Sequence, residues 1–374
     1  MFKYPLLLQL IRQPQIAGGL SPKDWEIVIS QARRSALLIM LEGYLRDKDP
    51  DVQIPDYVLD LLRSTECVVK KQGTSIRWEA TKLIKIIQGK GLQPIFLKGA
   101  AYILAELEAA KGRLLSDIDI LIPKSAISDV ELALTAHGWH ASKLDEYDQR
   151  YFREWMHEIP PLVHIKSNTT LDVHHTILAL TAKYSPNADL LFKDAVETPF
   201  PGAFVLAPED MLLHSVAHLF HEGELEMGLK GLIDIERLLL EFLEDDPDFW
   251  SRLLSRAKTH QLERPLYYAL HYCQLILKLD VPEGVLQQLA FAQPAQPLSW
   301  LMDFLYLRAL MPDHPCADQA FTRLSRFLLY LRGHYLRMPL RVLIPHLIKK
   351  SWMRHKQKQQ TRQITGPAQA QNNQ

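Results

Sequence analysis

Two aspartates one residue apart, Asp117 and Asp119, stand in the run GRLLSDIDILI at residues 112–122, which otherwise has the apolar character of a buried strand. An unpaired charge in such surroundings is costly, so these carboxylates either lie at the open end of the strand or hold something positive. Residues i and i+2 of a strand share a face, which projects Asp117 and Asp119 together, with Cα atoms roughly 6.5–7 Å apart, and turns Ile118, Ile120 and Ile122 to the other side. That pair can grip a divalent cation. The segment LDVHH offers a third carboxylate, Asp172, with His174 on its face and Val173 opposite. Three carboxylates sharing two ions about 3.5–4 Å apart suit in-line phosphoryl or nucleotidyl transfer, one ion activating the attacking oxygen and the other steadying the leaving phosphate. The plainer alternative for Asp117 and Asp119 is a pair of strand-end carboxylates that cap a helix or meet Arg113. For His174 it is a hydrogen bond that orients Asp172.

His214, His218 and His221 follow at spacings of four and three, so they share one helix face, with Glu222 beside the last. Histidines four apart can chelate zinc, but the H-E-x-x-H order is missing and no third ligand stands out. Partnership with Asp234 or with backbone groups is the simpler expectation.

These residues need elements to position them. Residues 22–48 and 55–90 carry apolar side chains at helical spacing, with Pro22 suited to a first turn. The period then changes. QPIFLKG is a short apolar strand bounded by Pro94 and Gly99, followed by a helix from Ala100 to about Ala110; DIDILI is a strand ended by Pro123, and SAISDVELALTAHGW a helix closed by Gly138. LVHIKSNTTLDVHHTIL reads as two strands joined by a polar turn at Ser167 and Asn168. From Pro208 the pattern is helical, with helices expected through about 228–243, 247–258, 262–279 and 321–355. The expected fold class is α+β: an N-terminal helical region (1–90), a small mixed-sheet α/β core (91–205), a C-terminal helical domain with a basic amphipathic end (206–355) and a disordered tail (356–374).

With 374 residues, 47% of them hydrophobic, the chain can fill a substantial core. Its three cysteines, Cys67, Cys273 and Cys316, are too few and too scattered for a disulfide framework or a zinc cluster, which favours a reducing, cytoplasmic setting. Gln9 and Arg12 interrupt the N-terminal apolar run before signal-peptide length, and no stretch reaches the roughly 18 apolar residues of a membrane span. The formal charge of zero hides an asymmetry: after Asp318 there are eleven Lys or Arg and no acid, leaving 32 basic against 43 acidic residues before it. The segment 321–358 mixes its cations with Leu, Phe, Tyr and Trp at helical spacing. It could pack on the helical domain, lie on an anionic membrane surface or follow an RNA backbone.

The ordered set FLKGAAYILAEL, GRLLSDIDILI and LDVHH resembles the uncharacterised nucleotidyltransferase family of the polymerase-beta-like nucleotidyltransferase superfamily, and APEDMLLHSVAHLFHEG, LKGLIDIERLL and DFWSRLLSRA are similar to that family's helical region, so that the likeness covers about residues 80 to 290. The resemblance implies a nucleoside triphosphate as substrate, Mg²⁺ or Mn²⁺ as cofactor, and Asp117, Asp119 and Asp172 as metal ligands and catalytic residues. It makes Gly99 the turn into a helix whose N–H groups meet the nucleotide phosphates. Lys98 and Arg113 then become cations for phosphate charge, with Ser116, His174, His218 and Asp234 as further nucleotide-side residues. The superfamily's usual Gly-Ser is Gly99-Ala100-Ala101 here, and His175 stands where relatives often carry an aromatic residue.

The leading expectation is therefore transfer of a nucleoside monophosphate from an NTP to an unidentified acceptor with release of pyrophosphate. Two alternatives differ in kind: a non-catalytic nucleotide- or partner-binding protein of the same fold at a membrane surface, and a toxin-like transferase that modifies tRNA.

Overall fold

The computed structural model describes residues 3–141, 145–184, 186–222, 225, 227–339, 341 and 343. Fifteen helices are found among them. Leu6–Arg12 (α1), Pro22–Arg34 (α2), Leu41–Lys48 (α3) and Asp56–Gln88 (α4) precede the first strand. Lys98–Leu104 (α5), Ile127–Ala136 (α6), Glu146–Trp155 (α7) and Ala188–Lys193 (α8) lie between strands. Pro208–Ala217 (α9), Gly228–Asp245 (α10), Phe249–Thr259 (α11), Glu263–Tyr272 (α12), Glu283–Gln288 (α13), Gln296–Ala309 (α14) and Thr322–Arg337 (α15) complete the set. The strands are Ile95–Leu97 (β1), Asp117–Leu121 (β2), Trp139–Ala141 (β3), Leu162–His164 (β4), Thr170–His174 (β5), Val196–Glu197 (β6) and Phe204–Val205 (β7). They form one mixed sheet in the order β3-β4-β5-β2-β1-β7-β6.

Local chemistry explains several boundaries. Ser21 starts α2 with a capping box, its hydroxyl accepting from the Asp24 N–H at 3.3 Å while the Asp24 carboxylate accepts from the Ser21 N–H at 3.0 Å. Helix α4 is 33 residues long and buries Ile76, Ala80, Leu83, Ile84 and Ile87, the three- and four-residue spacing of one apolar stripe. Helix α5 is shorter than its sequence pattern suggested: it spans Lys98–Leu104, and Ala105 caps it before a separate 3₁₀ turn at Glu108–Ala110. The expected helix 262–279 divides at Cys273 into α12 and a π-helical turn, Cys273–Leu277. Helix α15 ends at Arg337, and most of the remainder of the expected 321–355 helix, with the 356–374 tail, lies outside the described residues.

Strand β2 occupies the middle of the sheet, antiparallel to β1 and parallel to β5. Ile118, Ile120 and Ile122 are fully buried on one face, which is why this strand keeps its register: a one-residue slip would drive the aspartates into the core. One contiguous cluster of buried apolar residues runs from Leu7 through the strands to Leu329, so the N-terminal helices, the sheet and the C-terminal helices share a core. Helices α9 and α11 are tied by buried Asp210, whose carboxylate accepts from Arg256 Nε at 2.7 Å and His260 Nε2 at 3.0 Å.

Candidate active site

The β2–β5 register pairs Asp119 with Asp172 and Asp117 with Thr170. Register partners in a parallel sheet send their side chains to the same face, about 4.8 Å apart between strands. Asp117, Asp119 and Asp172 therefore share one face, opposite the buried isoleucines. Asp119 is nearly inaccessible, whereas Asp117 and Asp172 are half-buried.

The three carboxylates have different surroundings. Lys98 Nζ donates to Asp119 Oδ1 at 2.8 Å and His174 Nε2 donates to the same oxygen at 2.9 Å. Burial alone would raise the Asp119 carboxyl, but the Lys98 ammonium and the His174 hydrogen bond outweigh it and hold the group far below the usual carboxylate range. Asp172 goes the other way. Burial, then the charges of Glu158 and Asp119, push its carboxyl up to about 7. Its Oδ1 is buried and has no hydrogen-bond partner among the described residues. Asp117 is also raised, by burial and by Asp119, against a hydrogen bond from Ser116. Two carboxyls that resist ionising and one orphaned oxygen share a face, and oxygen donors of this kind fit a divalent metal.

Lys98 reaches Asp119 because β1 pairs Leu97 with Asp119, and the chain turns into α5 at Lys98 with φ +47°, a left-handed conformation uncommon for a lysine. Gly99 is buried, and a Cβ there would lie 2.0 Å from Leu115 Cδ2 and 2.8 Å from Arg113 Nε. Glycine at this position makes room for the Arg113 side chain, which is paired with Asp234 on α10 and lies 5.0 Å from the Tyr102 ring centre. Lys230 Nζ donates to the same Asp234 oxygen at 3.1 Å. Burial would raise Asp234, but Arg113 and Lys230 outweigh it and lower the group. The C-terminal helices thus fix the position of Arg113. His174, set beside Asp172 by the sequence pattern, bonds to Asp119, with Glu158 Oε2 3.4 Å away. His218, half-buried, opens a π-helical turn after α9; His214, one turn earlier, is fully buried, and burial together with the nearby Lys98 and His174 keeps it neutral well below the usual histidine range.

Glu158 and His157 escaped sequence reasoning. Glu158 lies in HEIPP, which has neither helical nor strand periodicity, yet it bridges to His174: the Ile159 N–H donates to Val173 O at 3.0 Å and the His175 N–H to His157 O at 2.8 Å. The one available signal was the pair of adjacent ionisable residues just before Pro160 and Pro161. Donor atoms of His157, Glu158 and His174 lie within 4.8 Å of one another, a group that could hold a metal ion beside the three aspartates.

A family model described as "Uncharacterised nucleotidyltransferase" matches residues 21–278, more than two-thirds of the chain. The chain belongs to this uncharacterised nucleotidyltransferase family. No curated protein and no solved structure gives a significant match. The family region takes in α2 to α4, upstream of the motifs that carry the resemblance in sequence, and reaches to the end of α12 and its π-turn. Within that region Gln72 on α4 meets the site's strand: its Nε2 donates to Leu115 O at 2.7 Å and its Oε1 accepts from the Leu115 N–H at 2.8 Å. In this chain an N-terminal helix therefore clamps the backbone two residues before Asp117. Gln72→Ala removes both bonds and is expected to cost about 1–3 kcal/mol, read by urea unfolding. An unchanged midpoint would show that the clamp carries no stability.

Proposed function

We propose that the protein is a metal-dependent nucleotidyltransferase that moves a nucleoside monophosphate from an NTP to an acceptor and releases pyrophosphate. The observation that carries this reading is the convergence of Asp117, Asp119 and Asp172 on one sheet face, with an Asp172 oxygen buried and unpartnered. Asp117, Asp119 and Asp172 would hold Mg²⁺ or Mn²⁺, and the bound ion would supply charge neutralisation for the transferring phosphoryl group and activation of the attacking oxygen. Arg113, oriented by Asp234, offers a planar fork for phosphate oxygens, and Lys98 a second positive group. Asp172, on the same face, would take the proton of the acceptor hydroxyl. Ser116 donates to Asp117 and helps orient it. Supporting this assignment over a purely structural role, the three carboxylates make no ion pair with arginine among the described residues, and two of them remain accessible.

The test is incubation with each NTP labelled at the α-phosphate, with Mn²⁺ and a cell extract. Label should pass to one product in the wild type and to none with Asp117→Asn. Equal labelling by both proteins would refute the proposal.

A second reading concerns where the protein acts. No helix among the described residues is long and apolar enough to cross a membrane. The packed pair α14 and α15 nevertheless exposes Trp300 (70%) on the first helix and, in the acid-free stretch after Asp318, Phe327 and Tyr335 on the second with Phe321 (60%) just before it. Aromatic side chains beside basic residues favour docking on an anionic bilayer surface. Co-sedimentation with phosphatidylglycerol vesicles, absent with phosphatidylcholine and reduced at least fivefold by Trp300→Ser with Phe327→Ser, is the expected result. Equal recovery on both lipids, or on neither, would rule the docking out.

A further inference from the structure

Two clefts lie beside α4, one reaching Arg113 and the other Ser116 and Asp117. The larger, of about 840 Å³, is lined by Arg77, Lys111 and Arg113 among others; the smaller, of about 790 Å³, runs between α4 and the β4–β5 turn and is lined by Ser116 and Asp117. In-line substitution at phosphorus brings the attacking group and the leaving group to opposite sides of the phosphorus atom. The sheet order separates those sides. Lys98 and Arg113 belong to the β1 flank of the aspartates, and the turn at residues 165–169 belongs to the β5 flank. If the cations receive the departing pyrophosphate, the attacking group comes from the smaller cleft.

The walls of that cleft describe what it accepts. Trp78 is 64% exposed, a high degree for an indole, and Lys82 Nζ lies 5.1 Å from its ring centre. Glu79, beside it, is 4% exposed; its Oε1 accepts from Lys82 Nζ at 3.2 Å, while Oε2 has no hydrogen-bond partner among the described residues. A buried carboxylate oxygen without a donor is costly unless a ligand supplies an O–H or N–H. Ser167, Asn168 and Thr169 add hydroxyl and amide groups from the opposite wall. A flat apolar surface beside several fixed hydrogen-bonding groups suits a ring with apolar faces and polar edges.

We propose that the cleft between α4 and the β4–β5 turn is the acceptor site of the transferase and that it takes a hydroxyl-bearing ring, either a sugar unit or a nucleoside. The inference rests on the nucleotidyl-transfer reading. In the step it serves, an acceptor hydroxyl oxygen forms the new bond to the α-phosphorus, the bond from that phosphorus to the bridging oxygen breaks with its electron pair going to pyrophosphate, and the hydroxyl proton passes to a site carboxylate. Trp78 stacks on the ring and Glu79 accepts from one of its donors.

Saturation-transfer NMR on the full chain, with methyl glycosides of glucose, galactose, mannose and N-acetylglucosamine in one arm and adenosine and uridine in the other, tests the assignment. At least one ring should receive saturation from the wild type, with the signal falling fivefold or more in Trp78→Ala and in Glu79→Gln. The responding arm identifies the source of the ring. A signal indifferent to both variants, or none in either arm, overturns the acceptor assignment. Thermal stabilisation of the wild type by Mn²⁺ with each of the four NTPs is measured in parallel. Stabilisation without a Trp78-dependent ring signal defeats the cleft proposal alone, and no stabilisation with any of the four NTPs defeats the transfer reading beneath it.

Discussion

Asp172→Asn is expected to stabilise the metal-free protein while abolishing nucleotidyl transfer. The Asp172 carboxyl sits at about 7 in the folded chain, against an ordinary value of 3.8. Between those values the folded state binds the proton more tightly than the unfolded state, so this group's contribution falls as pH rises from about 4 to about 7 and stays unfavourable above. Asparagine has no proton to lose and removes that penalty, on the order of 1–4 kcal/mol at pH 8 and little at pH 4. Urea unfolding with a chelator at both pH values measures it, and a variant no more stable than wild type at pH 8 would contradict the charge crowding. Transfer should fall by about a thousandfold or more, because charge neutralisation at the phosphoryl group is worth several kcal/mol. Asp119→Asn should match it in activity and oppose it in stability. The Asp119 carboxyl is held low by Lys98 and His174, so its contribution is present above the unfolded carboxylate range and lost as pH falls through the folded value. Asparagine there should therefore destabilise at neutral pH and matter little in acid.

The largest loss of stability is expected from Asp234→Ala. Arg113 and Lys230 both rest on this carboxylate, and all three side chains are at least 85% buried. Removing the shared anion leaves two buried cations without a counter-charge, a change of about 3–5 kcal/mol. Replacing all three by apolar residues of similar volume, Asp234→Leu with Arg113→Met and Lys230→Met, should recover much of that stability and none of the activity. Denaturant midpoints and the labelled-NTP assay separate the two effects. A triple variant as active as wild type would remove Arg113 from the phosphate site.

Much of the sheet was legible because its central strands carry strong local signals. The alternation in DIDILI, the Pro94 and Gly99 boundaries of β1 and the polar turn between β4 and β5 each specify a strand without help from the rest of the chain. Strands β3, β6 and β7 were not legible: they hold two or three residues each, too few to show a period, and exist because neighbouring strands offer unpaired backbone groups. The α+β class follows from the same signals, and the family match agrees with it. The three aspartates could be named from their types and spacing, but their convergence depends on a parallel β2–β5 register that no local pattern states. Glu158 was hidden because it joins the site through a single backbone bridge after an aperiodic segment, and His214 could be named from its spacing but not placed beside Lys98 and His174, since 95 residues of chain separate it from Asp119. Gln72 looked like an ordinary helix residue until its amide was seen to match both backbone groups of Leu115.

The Lys98–Asp119 contact gives the protein a built-in counter-ion. With an ammonium 2.8 Å from its most deeply buried carboxylate, the charge of Asp119 is already balanced within the chain, and on the proposed transferase reading a divalent ion at Asp119 would compete with a tethered cation present at effectively high local concentration. On that reading a metal arriving with its nucleotide would displace the lysine more readily than a free ion, making the substrate the key to the site.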